Sequence, residues 1–153
     1  MVVAPFSGVD PMRWVRGRRR WIGGAVIAAA CAAAIIVLAR SDPAPDNAAL
    51  AAAFHSNQPA EVTVSAKVTH LLPDSTGVDG IHQRFDIDAG LGSDVEIDHN
   101  VTLAERVPVA VGDPVVIHGQ FEPDPGHPII HYTHRAVSHH EGGWIQLKGQ
   151  TYQ

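Results

Sequence analysis

Val62-Thr63-Val64-Ser65-Ala66-Lys67-Val68-Thr69 alternates apolar and polar side chains without a break. Successive side chains on a strand point to opposite faces, so this run predicts a strand with one buried face. Leu71 and Leu72 extend it, and Pro73-Asp74 opens a turn-rich loop through Gly77 and Gly80. Downstream, a second strand from about His82 to Ala89 sets Phe85, Ile87 and Ala89 opposite Arg84, Asp86 and Asp88. Gly90-Leu91-Gly92 makes a turn, and a third strand, Asp94 to Val101, groups Val95, Ile97, His99 and Val101 on one face. Leu103 to Val107 reads as a short helical or turn segment closed by Pro108. Val111-Gly112-Asp113 then turns into a fourth strand, Pro114 to Phe121, with Val115, Ile117, Gly119 and Phe121 on a shared face. A fifth strand covers about Pro128 to His134, and Gly149 to Gln153 offers one more extended piece.

Five strands with a short helical connection between the third and fourth predict an all-β fold, a small Greek-key β-barrel of the OB type. Gly112 suits the turn into the fourth strand and Gly119 a tight bend within it. A sandwich or open sheet of the same strands is the alternative.

The chain has 153 residues, with 11 Lys plus Arg, 16 Asp plus Glu and 10 His. That length suits one domain and excludes a large multidomain enzyme. The charge is divided. Up to Arg40 six basic residues and one acid leave a net of +5, whereas from Ser41 onward five basic residues face 15 acids, a net of −10. All ten histidines lie in this acidic part.

Trp21 to Ala39 is a run of 19 residues without a charge. As a helix it would span about 28 Å, the thickness of a bilayer's hydrocarbon core. Arg13, Arg16, Arg18, Arg19 and Arg20 precede it and Arg40 follows, so the positive-inside rule places the N-terminus in the cytoplasm and the rest outside. The expected organisation is a basic cytoplasmic segment over 1–20, a transmembrane helix or uncleaved signal anchor over 21–39, a linker with a short helix over 40–60, and an extracytoplasmic β-domain over 61–153. The chain would then cross the inner membrane once. A cleaved signal peptide, leaving a secreted or periplasmic protein, is the alternative. Asp42-Pro43-Ala44-Pro45-Asp46 suits a short extended spacer, and Asn47 is placed to cap a helix from Ala48 to His55. The single cysteine, Cys31, falls inside the apolar run, so the exported part has neither a disulfide nor a thiolate for zinc or catalysis.

Several short motifs come in order along the domain: Leu72-Pro73-Asp74, His82-Gln83-Arg84-Phe85, His99-Asn100-Val101-Thr102-Leu103-Ala104, Gly112-Asp113, His131-Tyr132-Thr133-His134, His140-Glu141-Gly142-Gly143-Trp144-Ile145 and Tyr152-Gln153. Together they resemble a bacterial family of small exported proteins, domain of unknown function 3465, over Val62 to Gln153. Members of that family usually read Glu-Tyr-Glu-Trp-Asn where this chain has Gln120-Phe121-Glu122-Pro123-Asp124, and often His-Asp-Pro where it has Arg135-Ala136-Val137. The resemblance implies an exported domain and no defined activity.

Ten histidines in an acidic, cysteine-free domain direct attention to imidazole chemistry. Neutral imidazole is the commonest metal ligand, and zinc or copper sites are built from histidine and carboxylate alone. Candidate ligands for a divalent metal are His82, His99, His131, His134 and His140, with Asp98 and Glu141 nearby in sequence. His131 and His134, three apart, point to opposite faces of a strand and converge only if a turn or bulge intervenes. Candidate binding residues are His82, Arg84, His99, Asn100, His131 and Trp144. Each has a plainer reading: His99 as a core histidine, His82 and Arg84 as a solvated face, Asn100 as a turn former, Trp144 as a lid on the barrel end. His118 reads as surface.

These features predict a membrane-anchored binding or interaction module with a histidine-rich face, engaging a small ligand or an envelope partner. The alternative is a metal-dependent hydrolase with a histidine-held ion and a bound water as nucleophile. A net of −10 lacks the basic footprint of nucleic-acid binding. No nucleophile elbow, phosphate loop or dinucleotide fingerprint is present.

Overall fold

A computed structural model describes residues 42–137 and 140–153. The apolar run over 21–39 lies outside the described residues. Among those described, no helix is long and apolar enough to cross a membrane. The described residues are mostly β, with one helix, α1 (Asn47–Ser56), and seven strands, β1 (Ala60–Gly77), β2 (Gly80–Asp88), β3 (Val95–Asn100), β4 (Pro114–Glu122), β5 (Ile129–His131), β6 (Trp144–Leu147) and β7 (Gln150–Tyr152).

The alternation at Val62 to Val68 does what a half-buried strand requires. Val62, Val64 and Val68 are at most 2% exposed, while Ser65 and Lys67 face solvent. Their partners are the inward residues of β4, with Val62 opposite Gly119, Val64 opposite Ile117 and Ala66 opposite Val115. Phe85, Ile87, Val95, Ile97, Phe121 and Ile130 complete a fully buried core. Each such side chain contributes about 1.5–3 kcal/mol by leaving water.

β1 is longer than the sequence predicts. It runs through Pro73 to Gly77 and closes on β2 by a tight Val78-Asp79 turn, not a long loop. A proline lacks the N–H that a regular ladder needs, and Pro73 falls in a register shift between Leu72 and Ser75, where that N–H is not called on. This length lets one strand serve two neighbours. Ala60 to Lys67 pairs with β4, and Lys67 to Gly77 pairs with β2.

The result is a ring of five strands, β1-β2-β3-β5-β4 and back to β1. All its pairings are antiparallel except β3–β5, where Glu96 lies beside Ile129 and Ile97 beside Ile130. The free edge of β4 is shared: Gln120 to Glu122 pairs with β5, and Val115 to His118 pairs with β6. β7 adds outside β6.

Three expectations need correction. The connection between the third and fourth strands is a turn at Val101 to Ala104 and extended chain beyond, not a helix. It is held by the buried Gln83 amide, which donates to the Val107 carbonyl at 2.7 Å and accepts from the Val107 N–H at 2.9 Å. The cap of α1 is Asp46, whose Oδ1 accepts from Ala48 and Ala49. Asn47, the expected cap, instead pins the helix to the sheet through Ser65 and Ala89. Leu50 and Ala53 bury against the core, and Phe54 meets Phe121 with ring centroids 6.5 Å apart. Finally, β6 is an additional strand, and Trp144 is its first residue rather than a lid.

Candidate functional site

The outward faces of β2, β3 and β5 carry an unusual density of polar groups that water does not reach. Outward residues of a sheet are ordinarily solvated, yet His82, Glu96 and Asn100 are 8%, 4% and 1% exposed. Glu96 is held by Arg84, whose Nε and Nη2 donate to its two carboxylate oxygens at 2.5 and 2.9 Å, and His127 also reaches it. Burial would raise the Glu96 carboxyl, but the Arg84 bonds and charge, with His127, outweigh it and hold it below the usual range. Asn100 ties two turns together: its amide donates to the Asp79 carbonyl at 3.0 Å and its oxygen accepts from the Thr102 N–H at 2.9 Å. Asn100 and Arg84 are therefore committed within the protein.

Next to them the accounts do not balance. Asp98 follows Ile97 on β3, and His131 follows Ile130 on the parallel neighbour β5. Asp98 Oδ1 and His131 Nε2 are buried without a hydrogen-bond partner, and so is His140 Nε2. Buried polar atoms are nearly always paired, because an unmade bond costs about 1–3 kcal/mol. Burial raises the Asp98 carboxyl above all; the charges of His82 and Arg84 pull against that, and Glu96 adds to it. Burial likewise lowers His131, with Glu122 and Asp98 acting the other way.

Tyr132 organises this corner. It ends β5 in a left-handed conformation, φ +54°, rare for a residue of its size. Its ring lies between two imidazoles, His131 at 3.9 Å and His140 at 4.2 Å between centroids. His134 meets His140 edge-on at 4.8 Å. The turn at Tyr132 is the interruption that lets residues on either side of it join one cluster despite their strand spacing. Gly143 brings the chain back: its N–H donates to the His134 carbonyl at 2.8 Å.

His99 is separate. It points inward, is fully buried, and both ring nitrogens are engaged. Nε2 donates to the Glu105 carbonyl at 3.0 Å, which leaves Nδ1 to accept the Thr133 hydroxyl at 2.8 Å. Burial lowers its pKa, with the Glu105 bond opposing. Its neighbours give it the role of a core strut. Trp144 lies on the outer face of β6 and stacks on His118, 5.7 Å away at 29°. His118 is mostly covered rather than surface, its side chain 12% exposed. Thus the structure gathers His82, His131, His134 and His140 around Asp98 and Tyr132, and places His99 and Trp144 elsewhere. Tyr132 carries no signal of its own in the sequence beyond its place in the His131-Tyr132-Thr133-His134 motif.

Sets of three donors close enough to share an ion occur at other residues among those described: Glu61, His118 and Glu141, and His70, Asp86 and Asp94.

Fold and site thus define a small β-rich domain whose five-stranded ring carries a histidine-rich outer face. The model of a family described as protein of unknown function, DUF3465, matches residues 33–153, and the chain belongs to that family. Neither the curated proteins nor the solved structures contain a match.

Proposed function

We propose that the domain is a small closed barrel of the OB type, held outside the cytoplasm by an N-terminal anchor, and that it binds a polar ligand on its histidine face. The strand order 1-2-3-5-4-1 supports the barrel reading. The apolar run over 21–39 behind its arginines supports the anchor. The observation that carries the binding reading is three buried atoms that make no hydrogen bond, Asp98 Oδ1, His131 Nε2 and His140 Nε2, of which, among the described residues, only His131 Nε2 has a charged group within ion-pair reach, Glu122 Oε1 at 3.8 Å. A ligand offering both donors and acceptors would satisfy them.

The test is thermal unfolding of the full-length protein, with a chelator present, against a panel of sugars, amino acids, hydroxy acids and phosphate. A ligand at a hundred times its Kd stabilises by about 2.7 kcal/mol, which reads as several degrees. The expected hit loses its effect in His131→Ala and keeps it in Lys67→Ala. Stabilisation that survives His131→Ala, or consumption of the ligand on incubation, contradicts the reading.

A further inference from the structure

We propose that Glu61, His118 and Glu141 form a binding site for a divalent first-row transition-metal ion, distinct from the Tyr132 cluster. One donor atom from each lies within 4.8 Å of the other two, close enough to share one ion. Glu61 and His118 are on neighbouring strands, β1 and β4, and both point outward; Glu141 comes from the chain leading into β6.

His118 is oriented as a ligand needs to be. Its Nδ1 is 2.8 Å from the Thr63 hydroxyl, and Thr63 is its direct cross-strand partner. Its ring is clamped on the other side by Trp144. That leaves Nε2 aimed at Glu61, 3.4 Å from Oε1. A metal-bound imidazole almost always uses its second nitrogen in such an outer bond, which fixes ring and tautomer. When an ion binds, Nδ1–H donates to Thr63 and the Nε2 lone pair faces the metal.

The charge count also calls for a cation. Two carboxylates face His118, with His140 beside Glu141 the other imidazole near them, and among the described residues no lysine or arginine forms an ion pair with either carboxylate. Three protein donors leave a coordination position open, as in catalytic rather than structural zinc sites. It opens on a cleft of about 700 Å3 lined by Asp42, Glu141, Trp144 and Gln153. Mixed oxygen and nitrogen donors without sulfur suit zinc, and zinc should bind more tightly than manganese.

The experiment is calorimetric titration of the full-length, chelator-stripped protein with zinc and with manganese chloride, followed in parallel by tryptophan fluorescence. The expected result is one tightest zinc per chain, with a change in emission that Trp144→Phe removes. Its affinity falls at least tenfold in Glu61→Gln and in Glu141→Gln, and stays unchanged in His70→Ala and His131→Ala. Glu141 is solvent-exposed, so Glu141→Gln reads the site without threatening the fold. No zinc bound at neutral pH, affinity indifferent to both glutamine variants, or loss in His70→Ala or His131→Ala instead overturns the proposal.

Discussion

Replacing Gly143 with alanine is expected to destabilise the protein by about 3 kcal/mol, the upper end of the cost of overpacking. A Cβ at this position would lie 2.1 Å from the Tyr132 carbonyl oxygen, 2.5 Å from that of His118 and 2.9 Å from Thr133 Cα. All three are main-chain atoms, so no side chain can swing aside. Gly143 is where the chain passes between His118, midway along β4, and the turn after β5, and both the Tyr132 cluster and the His118–Trp144 stack depend on that passage. Denaturant unfolding measures the loss, and tryptophan emission reports the displaced Trp144. Gly149→Ala is the control: φ there is +82° and nothing lies within 4 Å, so only the left-handed penalty of about 1–2 kcal/mol applies. A loss at Gly143 no larger than at Gly149 contradicts the close approach.

Arg84→Met is expected to cost a further amount of the same order, about 3 kcal/mol at neutral pH. Removing one partner of a buried pair costs about 3–5 kcal/mol because the other charge is stranded. The Glu96 side chain is 3% exposed, so it is the group stranded; His127 remains as a partial partner, which argues for the lower end. The pH dependence identifies the cause. In the native protein Glu96 is held below its ordinary range, so its stabilising contribution is present above that range and lost as acid protonates it. Without Arg84, burial is the largest remaining influence and raises the carboxyl, so the variant's deficit grows as pH rises through that value and narrows in acid. A deficit of the same size at pH 5 and pH 7.5 would contradict this origin.

What the sequence discloses is set by range. Alternation over Val62 to Val68 and Pro114 to Phe121 reports a buried face directly, because the period belongs to the strand itself. Trp144 to Leu147 is a strand of four residues, too short for a period to register beside two glycines. Asp46 and Asn47 are equally good capping types, and only the Ser65 and Ala89 carbonyls, far along the chain, decide between them. The histidines were visible as a group, but their sorting was not. His99 became a core strut because Glu105 and Thr133 meet its two nitrogens, and His131 became part of a cluster because Tyr132 turns the chain. Glu61 and Glu141 are 80 residues apart in sequence, and no local pattern joins them to His118.

Asp98→Asn tests most directly whether the outer face is built to receive a ligand. A carboxylate kept there for an incoming ligand is a burden on the ligand-free protein. Its pKa is raised by burial, so ionising it costs stability that is lost as pH rises through that value. The neutral isostere escapes that cost. Unfolding free energies of the ligand-free protein should show Asp98→Asn more stable by about 1 kcal/mol at pH 7.5. The difference should close as pH falls and the native carboxyl is itself protonated. An Asp98→Asn protein less stable than the native one at pH 7.5 would mean that the carboxylate is paired within the fold, and would contradict a face built to receive a ligand.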